Sequence, residues 1–138
     1  TEMKLPYVKR TEMKENFRVL VVDTYEELNN FYSICEFAFV GGSLNGWGGQ
    51  NPIEPIAFKK GVIYGKDNWH FFIEWEKIKK GGGGIEVNDF KQLKEKVLFL
   101  IKNENIRKKM GEIAYKILLQ NTGATDINFD IIKETLGI

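Results

Sequence analysis

The chain has 138 residues, 43% of them hydrophobic, which is enough for one domain with its own core. Lys and Arg number 20 against 19 acidic residues, a net charge of +1, so the overall charge does not favour a nucleic-acid partner. The single cysteine excludes an internal disulfide, and no set of cysteine and histidine residues has the spacing of a metal site.

Membrane and targeting signals are not recognisable in the sequence. No apolar run approaches the ~18 residues that cross a bilayer, and no signal-peptide pattern stands at the start. The sequence therefore predicts a soluble chain in the cytoplasm.

The first elements follow a polar, basic stretch at 1–16, which is predicted to be a linker or flexible start before one domain over 17–138. Residues 17–23 are rich in β-branched side chains and are predicted to form a strand. Thr24, with Glu27 three residues later, forms a capping-box pattern. This pattern predicts a helix that begins near Tyr25.

A glycine loop is the central feature of the next unit. The apolar run 37–40 is predicted to be a buried strand, 41–50 is the loop, and Pro52 suits the first turn of a helix. Glycine allows a ligand to approach the backbone, and the start of a helix favours an anion. Since parallel strands joined by right-handed crossovers end at one edge of a sheet, we expect this loop and the start near Tyr25 at that edge.

The remaining pattern completes an α/β fold. Strands are predicted at 61–65 and 85–87, and helices at 72–80, 90–102, from 104 to about 121, and from Thr125 or Asp126 to Leu136. The last three helices carry apolar stripes, which are typical of core packing. The sequence predicts a Rossmann-like parallel sheet of about four strands flanked by helices.

The string Gly-Gly-Gln-Asn-Pro-Ile-Glu-Pro at 48–55, with 39–44 and 21–28 before it, resembles the 3-deoxy-D-manno-octulosonic acid (Kdo) transferases. The resemblance runs in one register from about Val19 to about Thr125. It implies the C-terminal, donor-binding half-domain of a GT-B glycosyltransferase, and hence a fragment of a larger enzyme. A general base in the N-terminal domain is implied, so no catalytic residue is expected in this chain.

The resemblance also implies which residues bind the donor. Those expected to contact its cytidine monophosphate (CMP) moiety are Tyr25, Glu26, Glu27, Asn51, Pro52, Ile53 and Glu54. Glu54 would accept hydrogen bonds from the ribose hydroxyls, and Asn51 would bind the ribose or phosphate. The supporting glycine loop comprises Gly41, Gly42, Ser43, Gly48, Gly49 and Gln50. No metal and no cofactor is implied.

The chain departs from the family at two places. Family members usually carry Gly-Pro-His-Thr-x-Asn-Phe where this chain has Gly-Lys-Asp-Asn-Trp-His-Phe at 65–71, and His where it has Gln50. His70, the only histidine, is therefore predicted to have a structural or surface role and not that of a catalytic base. Trp47 and Trp69 could stack on a base, contact a lipid or membrane, or fold onto the domain, and the last role is favoured.

The implied function is transfer of Kdo from CMP-Kdo to a lipid A precursor in lipopolysaccharide synthesis. The acceptor would bind through the missing N-terminal domain, and the full-length enzyme would associate peripherally with the cytoplasmic side of the bacterial inner membrane. We expect no nucleic-acid partner and no turnover by this chain alone. Two alternatives stay open: a GT-B transferase that uses a UDP- or GDP-sugar, and a stand-alone nucleotide-binding or interaction module.

Overall fold

The computed structural model describes residues 6–120, which fall into two compact units, 6–34 and 35–120. The helix predicted to run from Thr125 or Asp126 to Leu136 lies outside the described residues. Over residues 6–120, no helix combines the length and the apolar character required to cross a membrane.

The first unit contains a small parallel sheet. Strands β1 (Tyr7–Lys9) and β2 (Val19–Val21) pair in parallel, with a 3-10 turn at Arg10–Glu12 after β1 and helix α1 at Leu28–Ile34. Residues 7–9 were predicted to lie in a linker, so strand β1 was not expected. Three residues are too few for a period-2 pattern to stand out, and it is pairing with β2 that holds them extended.

The second unit is a three-stranded parallel sheet with helices on both faces. Its strands lie in the order β3-β4-β5. The elements in chain order are β3 (Phe37–Val40), α2 (Ile53–Ala57), β4 (Gly61–Gly65), a 3-10 turn (Trp69–Phe71), α3 (Phe72–Gly81), β5 (Gly84–Val87), α4 (Phe90–Lys102) and α5 (Glu104–Gln120). These bounds agree closely with the predicted ones.

Two apolar clusters fill the space between the sheet and its helices. Alternate residues of β4 point to opposite faces, so Val62 and Tyr64 join one cluster and Ile63 joins the other. The first cluster also contains Val40, Ile56, Trp75, Ile78 and Ala114, and the second Val87, Leu100 and Met110. Burial on both faces explains why β4 is apolar throughout.

The predicted α/β class is confirmed, but the strands are distributed differently from the expectation. Within residues 6–120, five strands form a two-stranded and a three-stranded parallel sheet, where one sheet of about four strands was predicted. Hydrophobic patterns show that a segment is extended but do not show which neighbour it pairs with. In the structure, β2 pairs with β1.

Local signals fixed the ends of the helices well. The Asp89 carboxylate accepts the Gln92 N–H (2.8 Å), so Asp89 is the N-cap of α4, directly before the predicted start of that helix at residue 90. Helix α3 ends at Gly81, and the next residue, Gly82, has a φ of +78°, which lies in the left-handed region. Residues 81–84 are all glycine, and this run ends α3 and leads into β5.

Candidate functional site

The glycine loop leaves the carboxyl end of β3 and folds back on itself. The Gly49 N–H donates to the Gly42 carbonyl (3.1 Å), and the Gln50 N–H donates to the Gly41 carbonyl (3.0 Å). Gly42, Gly46, Gly48 and Gly49 all have φ between +72° and +83°. A side chain would be strained at these four positions, which explains the glycine content.

Ser43 fastens this loop to the end of β4. Its side chain is fully buried, its hydroxyl donates to the Val40 carbonyl (2.6 Å), and the same oxygen accepts the Gly65 N–H (2.7 Å). The Ser43 carbonyl also accepts the Asp67 N–H (2.9 Å). These bonds satisfy a buried hydroxyl and join the two segments that end β3 and β4.

Gly65 is where the two segments come closest. A Cβ atom at Gly65 would lie only 1.9 Å from the Ser43 carbonyl oxygen and 2.6 Å from Leu44 Cγ. No side chain fits there. Gly65, which the sequence shares with the resembled family, is therefore required by the approach of the glycine loop.

The turn after β4 adds further bonds to the loop. The Asp67 carboxylate accepts the Gly46 N–H (3.0 Å), and the Asn68 amide donates to the Gly65 carbonyl (3.0 Å). The His70 N–H donates to the Gly48 carbonyl (3.0 Å). Residues that depart from the family's string thus hold the loop in place. Sequence reasoning missed this function because it depends on contacts across about 20 residues.

Residues Asn51 to Glu54 begin α2 directly after the loop. The Asn51 side-chain oxygen accepts the Ile53 N–H (3.0 Å), so part of its amide is used to start the helix. Pro52 is buried and is the helix N-cap, as its φ of −78° allows. Glu54 lies in the first turn of α2 and is partly exposed.

The expected dipole contribution of α2 is small, because the helix has only five residues. The hydrogen-bonding groups of the loop, of Asn51 and of Glu54 are therefore the candidate binding groups in this part of the structure.

In the first unit, the helix start near Tyr25 is wrong. Helix α1 begins at Leu28, and Tyr25 and Glu26 lie in a bend where Glu26 has φ +66°. The Thr24 hydroxyl contacts the Glu27 carboxylate instead of capping a backbone N–H. This side-chain contact competes with the capping box, so the helix starts three residues later.

Tyr25, Glu26 and Glu27 differ in how far a ligand could reach them. Tyr25 is 94% exposed and Glu26 is exposed, whereas Glu27 is half-buried. Arg10 donates to Glu27 Oε1 (2.9 Å), and Thr24 occupies Oε2. Glu27 is therefore a structural anchor in this state, and Tyr25 and Glu26 are the residues open to a ligand.

Beside this cluster, Thr11 donates its N–H (3.1 Å) and its hydroxyl (2.7 Å) to Asp23. The hydroxyl bond lowers the pKa of the Asp23 carboxyl.

The structure groups the candidate residues in two sets. Residues 41–54 and the turn 65–70 share one hydrogen-bonded cluster in the second unit, whereas Tyr25, Glu26 and Glu27 belong to the first. That both sets contact one ligand stays a prediction. In the described part of the chain, no three acidic, His or Cys side chains converge as metal ligands would.

A small cleft of about 130 Å³ borders α2. It is lined by Ile53, Ile56, Glu74, Lys77, Ile78, Ala114, Ile117 and Leu118. Its volume is below the roughly 300–1,000 Å³ of ordinary ligand pockets. No residue of the glycine loop lines this cleft.

The chain is similar in sequence to known proteins. No protein-family profile matches the chain. It is 34% identical over 96% of its length to the 3-deoxy-D-manno-octulosonic acid transferase of Haemophilus influenzae, and 29% identical over 96% to that of Bordetella pertussis. The chain spans 32% of the length of each of these relatives.

A solved structure shares the fold. The C-terminal CMP-Kdo binding domain of WaaA from Acinetobacter baumannii matches with a TM-score of 0.76 and 23% identity. The match covers 83% of this chain and 61% of that one. The α/β arrangement of parallel strands and flanking helices is thus one that a known domain adopts.

Proposed function

Because this chain belongs to the family of 3-deoxy-D-manno-octulosonic acid transferases, as a segment about a third of their length, we propose that it binds the CMP-Kdo donor of such an enzyme. The observation that carries the proposal is the glycine loop, which Ser43 and Asp67 fasten to the end of β4, followed at once by the partly exposed Glu54. A rigid loop of this kind holds hydrogen-bonding groups in place before the ligand arrives.

Each candidate has a role that its surroundings support. Glu54 accepts hydrogen bonds from the ribose hydroxyls, because a carboxylate only accepts when ionised. The Asn51 side chain keeps its NH₂ group for the ribose or phosphate, since only its oxygen is used by Ile53. Tyr25 and Glu26 contribute from the first unit, and Glu27 holds Arg10.

The chemistry on the donor is departure of CMP as the leaving group. Hydrogen-bond donors fixed around the phosphate stabilise the negative charge that develops there. The base that activates the acceptor hydroxyl comes from outside this chain, so the 138 residues bind the donor without transferring the sugar. The lipid A precursor and the cytoplasmic face of the bacterial inner membrane are the acceptor and location that go with this role.

Calorimetric titration of the 138-residue chain with CMP and with UDP tests the proposal. We expect CMP to bind more tightly than UDP. Glu54→Ala should weaken the binding of CMP about tenfold, which is the effect of losing one hydrogen bond to a charged group. Glu95→Ala, an exposed position on α4, is the matched control and should bind as the wild type does.

A preference for UDP would instead favour a transferase that uses a UDP-sugar. Absence of binding by any nucleotide, or transfer of sugar by this chain alone, would contradict the proposed division of labour.

A further inference from the structure

We propose that the side chains of Trp69 and His70 form a two-point contact for an oxyanion of the donor, either its phosphate or its sugar carboxylate. This inference rests on the proposed function and goes beyond it, because neither residue was expected to bind the ligand. It follows from where the turn 65–70 places the two rings.

The polar edges of the two rings meet over Gly48. A Cβ atom built on Gly48 would lie 2.7 Å from Trp69 Nε1 and 2.7 Å from His70 Nδ1. The two ring nitrogens therefore both lie beside one point on the glycine loop. The ring planes stand at 73° to each other, with centroids 6.1 Å apart, so the rings form two walls and not a stack.

The backbone beneath the rings is fixed. The His70 N–H donates to the Gly48 carbonyl (3.0 Å), and the Asp67 carboxylate accepts the Gly46 N–H (3.0 Å). Asn68, which lies between them, is buried and bonded to the Gly65 carbonyl. A ligand on this face would thus meet groups whose positions are already set, which lowers the entropic cost of binding.

The chemistry of the pair suits an anionic oxygen. An indole N–H can only donate, and an imidazole nitrogen can donate as well. Trp69 is 54% exposed and His70 is also exposed, so a ligand can reach both rings. The Asp67 carboxylate, the nearest acidic group in sequence, already accepts a backbone N–H, and the neighbouring Lys66 is exposed.

The site also explains why position 48 is glycine. With φ +83°, Gly48 has a conformation that side chains rarely adopt, and any Cβ would occupy the space between the two nitrogens. A side chain there would push the rings apart and block the contact.

Nuclear magnetic resonance of the 138-residue chain reads out this contact directly. The chain has three tryptophans and one histidine, so three indole N–H signals and one imidazole set are expected. Trp69→Phe identifies the signal of Trp69, and the buried Trp75 serves as an internal control. Titrations with CMP, cytidine and free Kdo separate the phosphate from the sugar carboxylate.

We expect CMP or Kdo, but not cytidine, to shift the Trp69 indole and His70 ring signals while the Trp75 signal stays in place. CMP that shifts the amides of residues 51–54, while neither CMP nor Kdo shifts either ring signal, would overturn this inference and leave the proposed function standing. No shift anywhere with CMP would overturn both.

Affinity measurements give an independent test. Trp69→Phe removes the N–H and keeps an aromatic ring, and His70→Phe removes both ring nitrogens. Each substitution should weaken the binding of the oxyanion-bearing ligand about tenfold, as expected for the loss of a hydrogen bond to a charged group. Phe90→Leu, at an exposed aromatic on α4, should have no effect.

Thermal unfolding shows whether each variant is folded. Unchanged affinity in both folded variants would refute the contact.

Discussion

At the residue scale, the most unusual pair in the core is Tyr64 and Trp75. Their rings stack with centroids 3.8 Å apart, and both residues are almost fully buried. Neither Tyr64 OH nor Trp75 Nε1 has a hydrogen-bond partner among the described residues. Burial raises the pKa of the Tyr64 hydroxyl, so it stays neutral. The apolar parts of the rings therefore supply the stability of this contact.

We predict that Tyr64→Phe leaves the free energy of unfolding unchanged or raises it by up to about 1 kcal/mol, because it removes a buried hydroxyl with no partner. Tyr64→Ala should lower it by about 3–5 kcal/mol, since it leaves a cavity beneath Trp75. Urea unfolding of both variants measures these differences. A loss above 1 kcal/mol in Tyr64→Phe would show that the hydroxyl is bonded after all.

Residues of the glycine loop were predictable one by one, but their partners were not. The positions of Gly41 to Gln50 and of Asn51 to Glu54 follow from the order of strand, loop and helix. The buried hydroxyl of Ser43 bonds to Gly65, 22 residues away, and this distance in the chain hides the contact from any local pattern.

At the element scale, helix α5 packs closely against the start of β4. A Cβ atom at Gly111 would lie 1.9 Å from the Lys59 carbonyl oxygen and 3.1 Å from the Gly61 nitrogen. Gly61 in turn faces Met110, whose Cε would lie 2.5 Å from a Cβ at that position. Glycine inside a helix lowers the helix propensity. The close approach of Gly111 to Lys59 and Gly61 explains why glycine nevertheless stands at this position in α5.

We predict that Gly111→Ala destabilises the chain by about 1–3 kcal/mol, despite the better helix propensity of alanine, because the overlap forces α5 away from β4. Gly41→Ala is the control, since a Cβ at Gly41 meets no atom within 4 Å and the backbone there is not in the left-handed region. Urea unfolding compares the two. Equal stabilities would show that α5 can shift at no cost.

The ends of the helices show which local sequence signals predict a helix boundary correctly. The end of α3 and the start of α4 were predictable, because the Gly82 stop and the Asp89 cap each act within one helical turn. The start of α1 was misjudged because Thr24 and Glu27 bond to each other through their side chains, which leaves Leu28 as the first helical residue. A capping sequence does not show which of two competing bonds forms.

At the scale of the whole molecule, the residues that the family resemblance implies for CMP fall in both compact units. Tyr25 and Glu26 belong to 6–34, and Asn51 to Glu54 belong to 35–120. Both groups are exposed or half-exposed apart from Pro52.

We predict that titration with CMP shifts the amide signals of Tyr25 and Glu26 and those of Ile53 and Glu54 along one binding curve. A single dissociation constant for both groups is expected, because the family resemblance assigns both to the CMP moiety of one donor. Heteronuclear correlation spectra of the labelled chain provide the measurement, with residues 95–99 of α4 as the unaffected control. Shifts confined to residues 51–54 would remove the first unit from the site.

The sequence by itself determined the α/β class, the elements of the second unit, the glycine loop and the family, because these depend on patterns within a few residues or on motifs in a fixed order. Only the tertiary structure decided that β2 pairs with β1, that Ser43 and Asp67 fasten the loop, and that Trp69 and His70 meet over Gly48. These depend on contacts between segments far apart in the chain, whose pairing is set by packing and by the satisfaction of buried hydrogen bonds.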